Sequence, residues 1–106
     1  MIPVGPEVKA SLVIYFKVGV ADEQIDDFWH NVLSRPHPQG RGYYHRTGVS
    51  ETMRLLPVQG HEGIAITFSE DATQGQRYEV KQDINSSPIV YKVLENVAPN
   101  DVKKLD

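Results

Sequence analysis

Two stretches decide the fold: Ile14-Tyr15-Phe16-Lys17-Val18-Gly19-Val20-Ala21-Asp22-Glu23-Gln24 and Ile66-Thr67-Phe68-Ser69-Glu70-Asp71-Ala72-Thr73-Gln74-Gly75-Gln76. At one constant offset, Ile14 falls on Ile66, Phe16 on Phe68 and Gln24 on Gln76. Continued without a gap, the same offset sets Phe28 on Val80, Val32 on Ile84, Ser34 on Ser86 and Pro36 on Pro88. The matches fall on strand residues, on a helix core face and on a helix stop. The shared grammar is strand, capped helix, proline stop, strand.

Ser11 to Val18 reads as a strand, because β-branched and aromatic residues dominate it and both its faces are apolar. Asp22 and Glu23 put negative charge at the start of a helix, where its dipole favours it. Ile25, Phe28, Trp29, Val32 and Leu33 then form one continuous helical stripe, and Pro36 ends it. Residues 35–48, rich in Gly and Pro and without periodicity, read as a long loop. Glu51 to Leu56 reads as a strand with Met53 and Leu55 on one face, and Pro57 marks its end or an edge position. Residues 59–63 read as a turn that puts His61 and Glu62 in solvent.

Ile64 to Phe68 follows as a strand. A helix capped by Asp71 or Thr73 runs to about Asn85, with Val80 and Ile84 as its clear apolar positions. Ile89 to Leu94 is the last strand, and Pro99 to Leu105 allows a final helical turn.

Two such units predict the order βαββαβ: an α+β, ferredoxin-like sandwich, with a four-stranded antiparallel sheet and two helices on one face. Residues 1–10, with Pro3, Gly5 and Pro6, are expected as an extended arm, and 11–106 as the single domain. The pattern resembles dimeric α/β-barrel proteins and the extracellular domains of FtsX-type proteins. That resemblance implies a fold and carries over no functional residue. Lys17 to Ala21 lacks the Gly-rich phosphate loop with a partnered Arg that marks acylphosphatases.

Composition narrows the function classes. The chain has 106 residues, 40 % hydrophobic and 24 % charged, as expected of one globular domain. A formal net charge of −3 argues against charge-driven nucleic-acid binding. The absence of cysteine removes disulfides, thiolate metal sites and thiol nucleophiles, and is compatible with a cytoplasmic location. No apolar run approaches a membrane span, and Met1 to Glu7 does not read as a signal peptide.

A partner is expected from the strand faces. In this arrangement helices cover one sheet face only. Yet Val13 and Tyr15 oppose Leu12, Ile14 and Phe16, and Tyr91 and Val93 repeat the excess on the last strand. An open apolar sheet face marks an interface, so Val13, Tyr15, Tyr91 and Val93 are expected to bury a homodimer contact. The competing expectation is that the chain's own ends cover that face.

The loop 35–48 holds the candidate ligand-binding residues. Arg41 and Arg46 suit phosphate or carboxylate, His37 and His45 are candidates for acid–base or anion-holding groups, and Tyr43 and Tyr44 can stack on a flat ligand. The plainer expectation is a solvated loop whose tyrosines pack back on the domain. Asp26 and His30, one helical turn apart, are too few for a metal site, and no cofactor is expected. Neither H-E-x-x-H, G-x-S-x-G nor a P-loop occurs. The sequence therefore points to a self-associating binding or accessory domain for a protein or a small, anionic ligand. The alternative is a small dimeric α/β-barrel-type enzyme using His37, His45, Arg41 or Arg46. An RNA-binding module is the weakest option, since Tyr15 would face only Ala65 and Thr67.

Overall fold

The computed structural model describes residues 9–105. The expected arm falls, through residue 8, outside the described residues. The elements are β1 (Ala10–Phe16), α1 (Asp22–Phe28), a π-helical turn (Trp29–Leu33), β2 (Ser34–Pro36), β3 (Tyr43–His45), β4 (Val49–Val58), β5 (His61–Phe68), α2 (Gln74–Asn85), β6 (Val90–Val97) and a 3-10 turn (Pro99–Asp101). The main sheet has the order β4-β5-β1-β6, and every neighbouring pair is antiparallel. The chain is thus α+β, with a four-stranded antiparallel sheet and two α-helices, compatible with a ferredoxin-like arrangement.

The sequence offset has a structural counterpart. Gln76 Oε1 accepts from the Thr73 amide at 2.9 Å, and Thr73 Oγ1 accepts from the Gln76 amide at 3.1 Å. This reciprocal capping box satisfies two amides that the first turn of α2 leaves orphaned. Gln24, at the matching position, accepts from the Ala21 amide at 3.0 Å. Alanine offers no oxygen in return, so α1 starts on half a box.

The β1 alternation divides the core. Leu12, Ile14 and Phe16 join Ile64, Ile66 and Phe68 beneath Ile25, Phe28, Leu33, Val80 and Ile84. The Phe16 and Phe28 rings meet edge to face at 5.0 Å. On the other face, Val13, Tyr15, Leu55 and Ala65 cluster with Leu105, and Val102 packs against them. Tyr91 donates its hydroxyl to the Leu105 carbonyl at 3.1 Å, and the Leu105 amide donates to Gln59 Oε1 at 2.8 Å. The C-terminal segment is therefore tied down over the face that the helices leave open.

Four expectations need correction. Residues 35–48 are not a structureless loop, because β2 and β3 pair from Ser34↔His45 to Pro36↔Tyr43. Gly40 and Gly42, with φ of 73° and 84°, supply the left-handed backbone that reverses the chain between them. Second, the turn expected at 59–63 is only Gln59-Gly60, both at positive φ between paired Val58 and His61, as a two-residue primed hairpin turn requires. His61 therefore lies in β5; its Nδ1 is 2.7 Å from the Phe16 carbonyl and its ring stacks on Tyr91 at 4.2 Å. Third, the strand expected over Glu51 to Leu56 is longer, Val49–Val58, and of the two readings of Pro57 the edge position holds, since β4 runs on through it at the edge of the main sheet.

The fourth correction concerns β6. Its register slips opposite the Tyr15–Phe16 step, leaving Tyr91 as the extra residue of a bulge. Val90 and Val93 both consequently pack on the helix side, whereas Leu94 packs with Val13. Val93 does not share a face with Val13 and Tyr15.

Candidate functional site

The site is built where α1 gives way to the π turn. Such turns leave carbonyls without regular intrahelical partners. Here side chains from the following hairpin supply them. Ser34, fully buried, donates to the Trp29 carbonyl at 2.9 Å and reaches the His30 carbonyl at 3.2 Å. Arg35 reaches the Asn31 carbonyl at 3.4 Å. Arg46 Nη1 donates to the Val32 carbonyl at 2.9 Å, and the Arg46 amide to the Leu33 carbonyl at 3.1 Å. The hairpin thus fixes the end of the helix, and with it the direction of Trp29.

Trp29 donates Nε1–H to Thr52 Oγ1 of β4 at 2.8 Å. His45 Nε2 lies 3.4 Å from the same hydroxyl. The Trp29 ring meets Tyr43 and His45 edge-on at 6.1 and 6.4 Å, while Tyr43 stacks on His30 at 4.0 Å. The indole is held at its edge by one hydrogen bond and flanked by three further rings. Such a side chain is pre-organised, which lowers the ordering cost of binding.

Beside it lies a cavity of about 230 Å³ between α1 and β4, lined by Ile25, Asp26, Trp29, Thr52, Met53, Arg54 and Ile64. Ile25 and Ile64 are buried and make an apolar floor. Asp26 and Arg54 are exposed and bring opposite charges to it. Arg54 Nη2 is 3.5 Å from Asp22 and 3.9 Å from Glu62, both long for a charge-assisted hydrogen bond. A larger groove of about 560 Å³ lies on the other sheet face, lined by Tyr15, Leu55, Leu56, Val58 and Val102, with Arg54 bordering both it and the smaller cavity. Size alone favours the groove. The smaller cavity is the better-built site, because its aromatic wall is braced from two sides and its polar groups converge on an apolar floor. In the groove, the Gln59 carboxamide is already engaged by the tail.

The residues expected to bind a ligand are brought together only in part. Tyr43 and His45 join the Trp29 cluster. Tyr44 and His37 meet separately, edge to face at 6.3 Å, and Arg41 stands exposed on the hairpin. Arg46 turns inward: its side chain is 8 % exposed and pairs with Asp83 of α2 at 2.8 Å, so its role is to hold the hairpin. Val13 and Tyr15, expected at an interface, are 0 % and 1 % exposed within the single chain, whereas Tyr91 is half-exposed. Tyr15 consequently offers no open platform for stacking bases. Burial raises the Tyr15 phenol above its ordinary pKa. Among the described residues, no three His, Cys, Asp or Glu side chains come together as a metal site would require.

Thr52 and Arg54 were outside the residues singled out for binding, and Trp29, with Tyr15 and Tyr91, read from the sequence as a core or interface aromatic sooner than as the wall of a pocket between sheet and partner. The sequence signal was there: Trp29 is the one tryptophan of the chain, on a helix face one turn from Asp26. Its meeting with β4 depends on long-range packing. No protein-family model, curated protein or solved structure matches this chain.

Proposed function

We propose that this chain is a small binding domain of the ferredoxin-like βαββαβ type, and that its ligand is a small molecule seated against Trp29 between α1 and β4. The observation that carries this reading is the braced indole: Trp29 hydrogen-bonded to Thr52 at 2.8 Å on the wall of a cavity of about 230 Å³. An aromatic face fixed before the ligand arrives favours binding without requiring chemistry. His37, Arg41, His45 and Arg46 do not converge on one point, which favours binding over the enzyme alternative. A cytoplasmic setting remains part of the proposal, resting on the cysteine-free sequence; among the described residues, no helix is long and apolar enough to cross a membrane.

The test follows from there being one tryptophan. Emission from Trp29 is titrated with a panel of small amphiphilic metabolites. Saturable change for at least one class supports the reading, and an unmoved spectrum across the panel contradicts it.

Self-association is a second proposal, now resting on a different surface. Val13 and Tyr15 cannot meet a partner while the tail covers them. Leu56, by contrast, is 87 % exposed on β4, which among the described residues forms an edge of the main sheet, beside the larger groove. Exposed apolar edges favour pairing with another chain. A homodimer through this edge is checked by solution mass, wild type against Leu56→Glu.

A further inference from the structure

This inference rests on the reading of the Trp29 cavity as a ligand site and names the ligand class. We propose that the cavity binds a small zwitterion with an apolar body, of the free α-amino-acid type. Three features of the cavity select it. The floor of Ile25 and Ile64 and the Trp29 wall take an apolar side chain. Arg54 presents a forked donor that suits a carboxylate, and its existing ion pairs with Asp22 and Glu62, at 3.5 and 3.9 Å, are longer than the about 2.7–2.9 Å typical of a charge-assisted hydrogen bond, so a better-placed carboxylate can compete for it. Asp26 supplies the acceptor for an ammonium group, and with no basic residue from Asp22 to Phe28, nothing on α1 competes for that carboxylate.

The charges also discriminate against simpler ligands. Arg54 already has Asp22 and Glu62 within 3.5 and 3.9 Å, and Asp26 lines the same cavity, so carboxylates outnumber the one positive charge there, which disfavours a plain monoanion. A plain monocation leaves Arg54 without a better acceptor than its long contacts. A zwitterion meets both charges and brings none in excess. The volume, about 230 Å³, is below the usual range for drug-sized ligands and suits a molecule of amino-acid size.

The experiment is isothermal titration calorimetry of the whole chain, with Trp29 emission followed in parallel. The probes are L-phenylalanine, N-acetyl-L-phenylalanine, which lacks the ammonium group, and L-phenylalaninamide, which lacks the carboxylate. L-phenylalanine is expected to bind about tenfold more tightly than either analogue. Arg54→Gln should abolish the preference over the amide, and Asp26→Asn the preference over the N-acetyl compound. Both positions are exposed, so neither substitution threatens folding. If either analogue matches L-phenylalanine while still shifting Trp29 emission, the zwitterion assignment is overturned and the cavity stands as a binding site. If none of the three binds, the assignment is overturned. If the metabolite panel also leaves Trp29 unmoved, the binding-site reading falls with it.

Discussion

The ring of Tyr15 lies across the bare backbone of Gly63, its cross-strand partner. A Cβ built on Gly63 would stand 2.8 Å from Tyr15 Cε1, 2.9 Å from Cδ1 and 3.1 Å from the Ile14 carbonyl oxygen. The glycine is there because the ring needs its space. Replacing a strand glycine with alanine ordinarily gains backbone entropy, about 0.4–1 kcal/mol. Here a buried ring and a backbone oxygen both obstruct the methyl group, and overpacking of this kind costs about 1–3 kcal/mol. Gly63→Ala should therefore destabilise the chain, seen as a lowered denaturant midpoint. In a Tyr15→Leu background the loss should shrink, and a double-mutant cycle would measure that coupling.

Tyr15 also sets a pH dependence. Its burial raises the phenol pKa in the folded state, so on raising pH the unfolded chain loses this proton first. Between the unfolded value near 10 and the raised folded value, the folded state binds more protons, and stability falls as pH rises. The contribution is fully present below about pH 10. Chemical unfolding from pH 8 to 11 should show this decline, and Tyr15→Phe should flatten it.

Arg46 and Asp83 should behave unlike the surface ion pairs. The Arg46 side chain is nearly buried while Asp83 is half-exposed, at 2.8 Å, and the same guanidinium nitrogen also holds the Val32 carbonyl. Arg46→Ala removes both contacts and leaves the end of the π turn unsatisfied, a loss of about 2 kcal/mol. Lys81–Glu95, also short at 2.7 Å but with a far more exposed cation, should contribute under about 1 kcal/mol. Urea midpoints of Arg46→Ala and Lys81→Ala would separate the two cases.

The C-terminal tail should govern access to the open sheet face. Leu105 is buried against Val13 and Tyr15 and held by Gln59 and Tyr91. Leu105→Asp places a charge in that contact and should lift the tail. Dye binding to newly exposed apolar surface should rise, and light scattering should show a larger mass through the face that the tail no longer covers. An unchanged mass with unchanged dye binding would mean that Val13 and Tyr15 are shielded without Leu105.

The sheet and its two helices were legible because their signals are local and repeated. The Gln24 and Gln76 positions, aligned in sequence, both fold back on their N-cap amides. The alternation of Leu12, Val13, Ile14 and Tyr15 divides the two core faces as the strand period requires. The hairpin at 34–45 was hidden because its strands are three residues each and its turn glycines resemble loop punctuation. The β6 bulge was equally hidden, since one inserted residue reverses every face downstream of it. Arg46 looked like a ligand group because its partner, Asp83, lies far along the chain. Trp29 looked like core because periodicity reports which face a residue occupies and says nothing of a cavity beside it.

An amide and indole NMR map tests the place of the site most directly. Isotope-labelled protein is titrated with small aromatic and aliphatic fragments. Shifts are expected to gather on the Trp29 indole N–H and on Ile25, Thr52 and Ile64. Shifts centred instead on Leu55, Val58 and Val102 in the larger groove, or on Tyr44 and Arg41 at the hairpin, would contradict that placement.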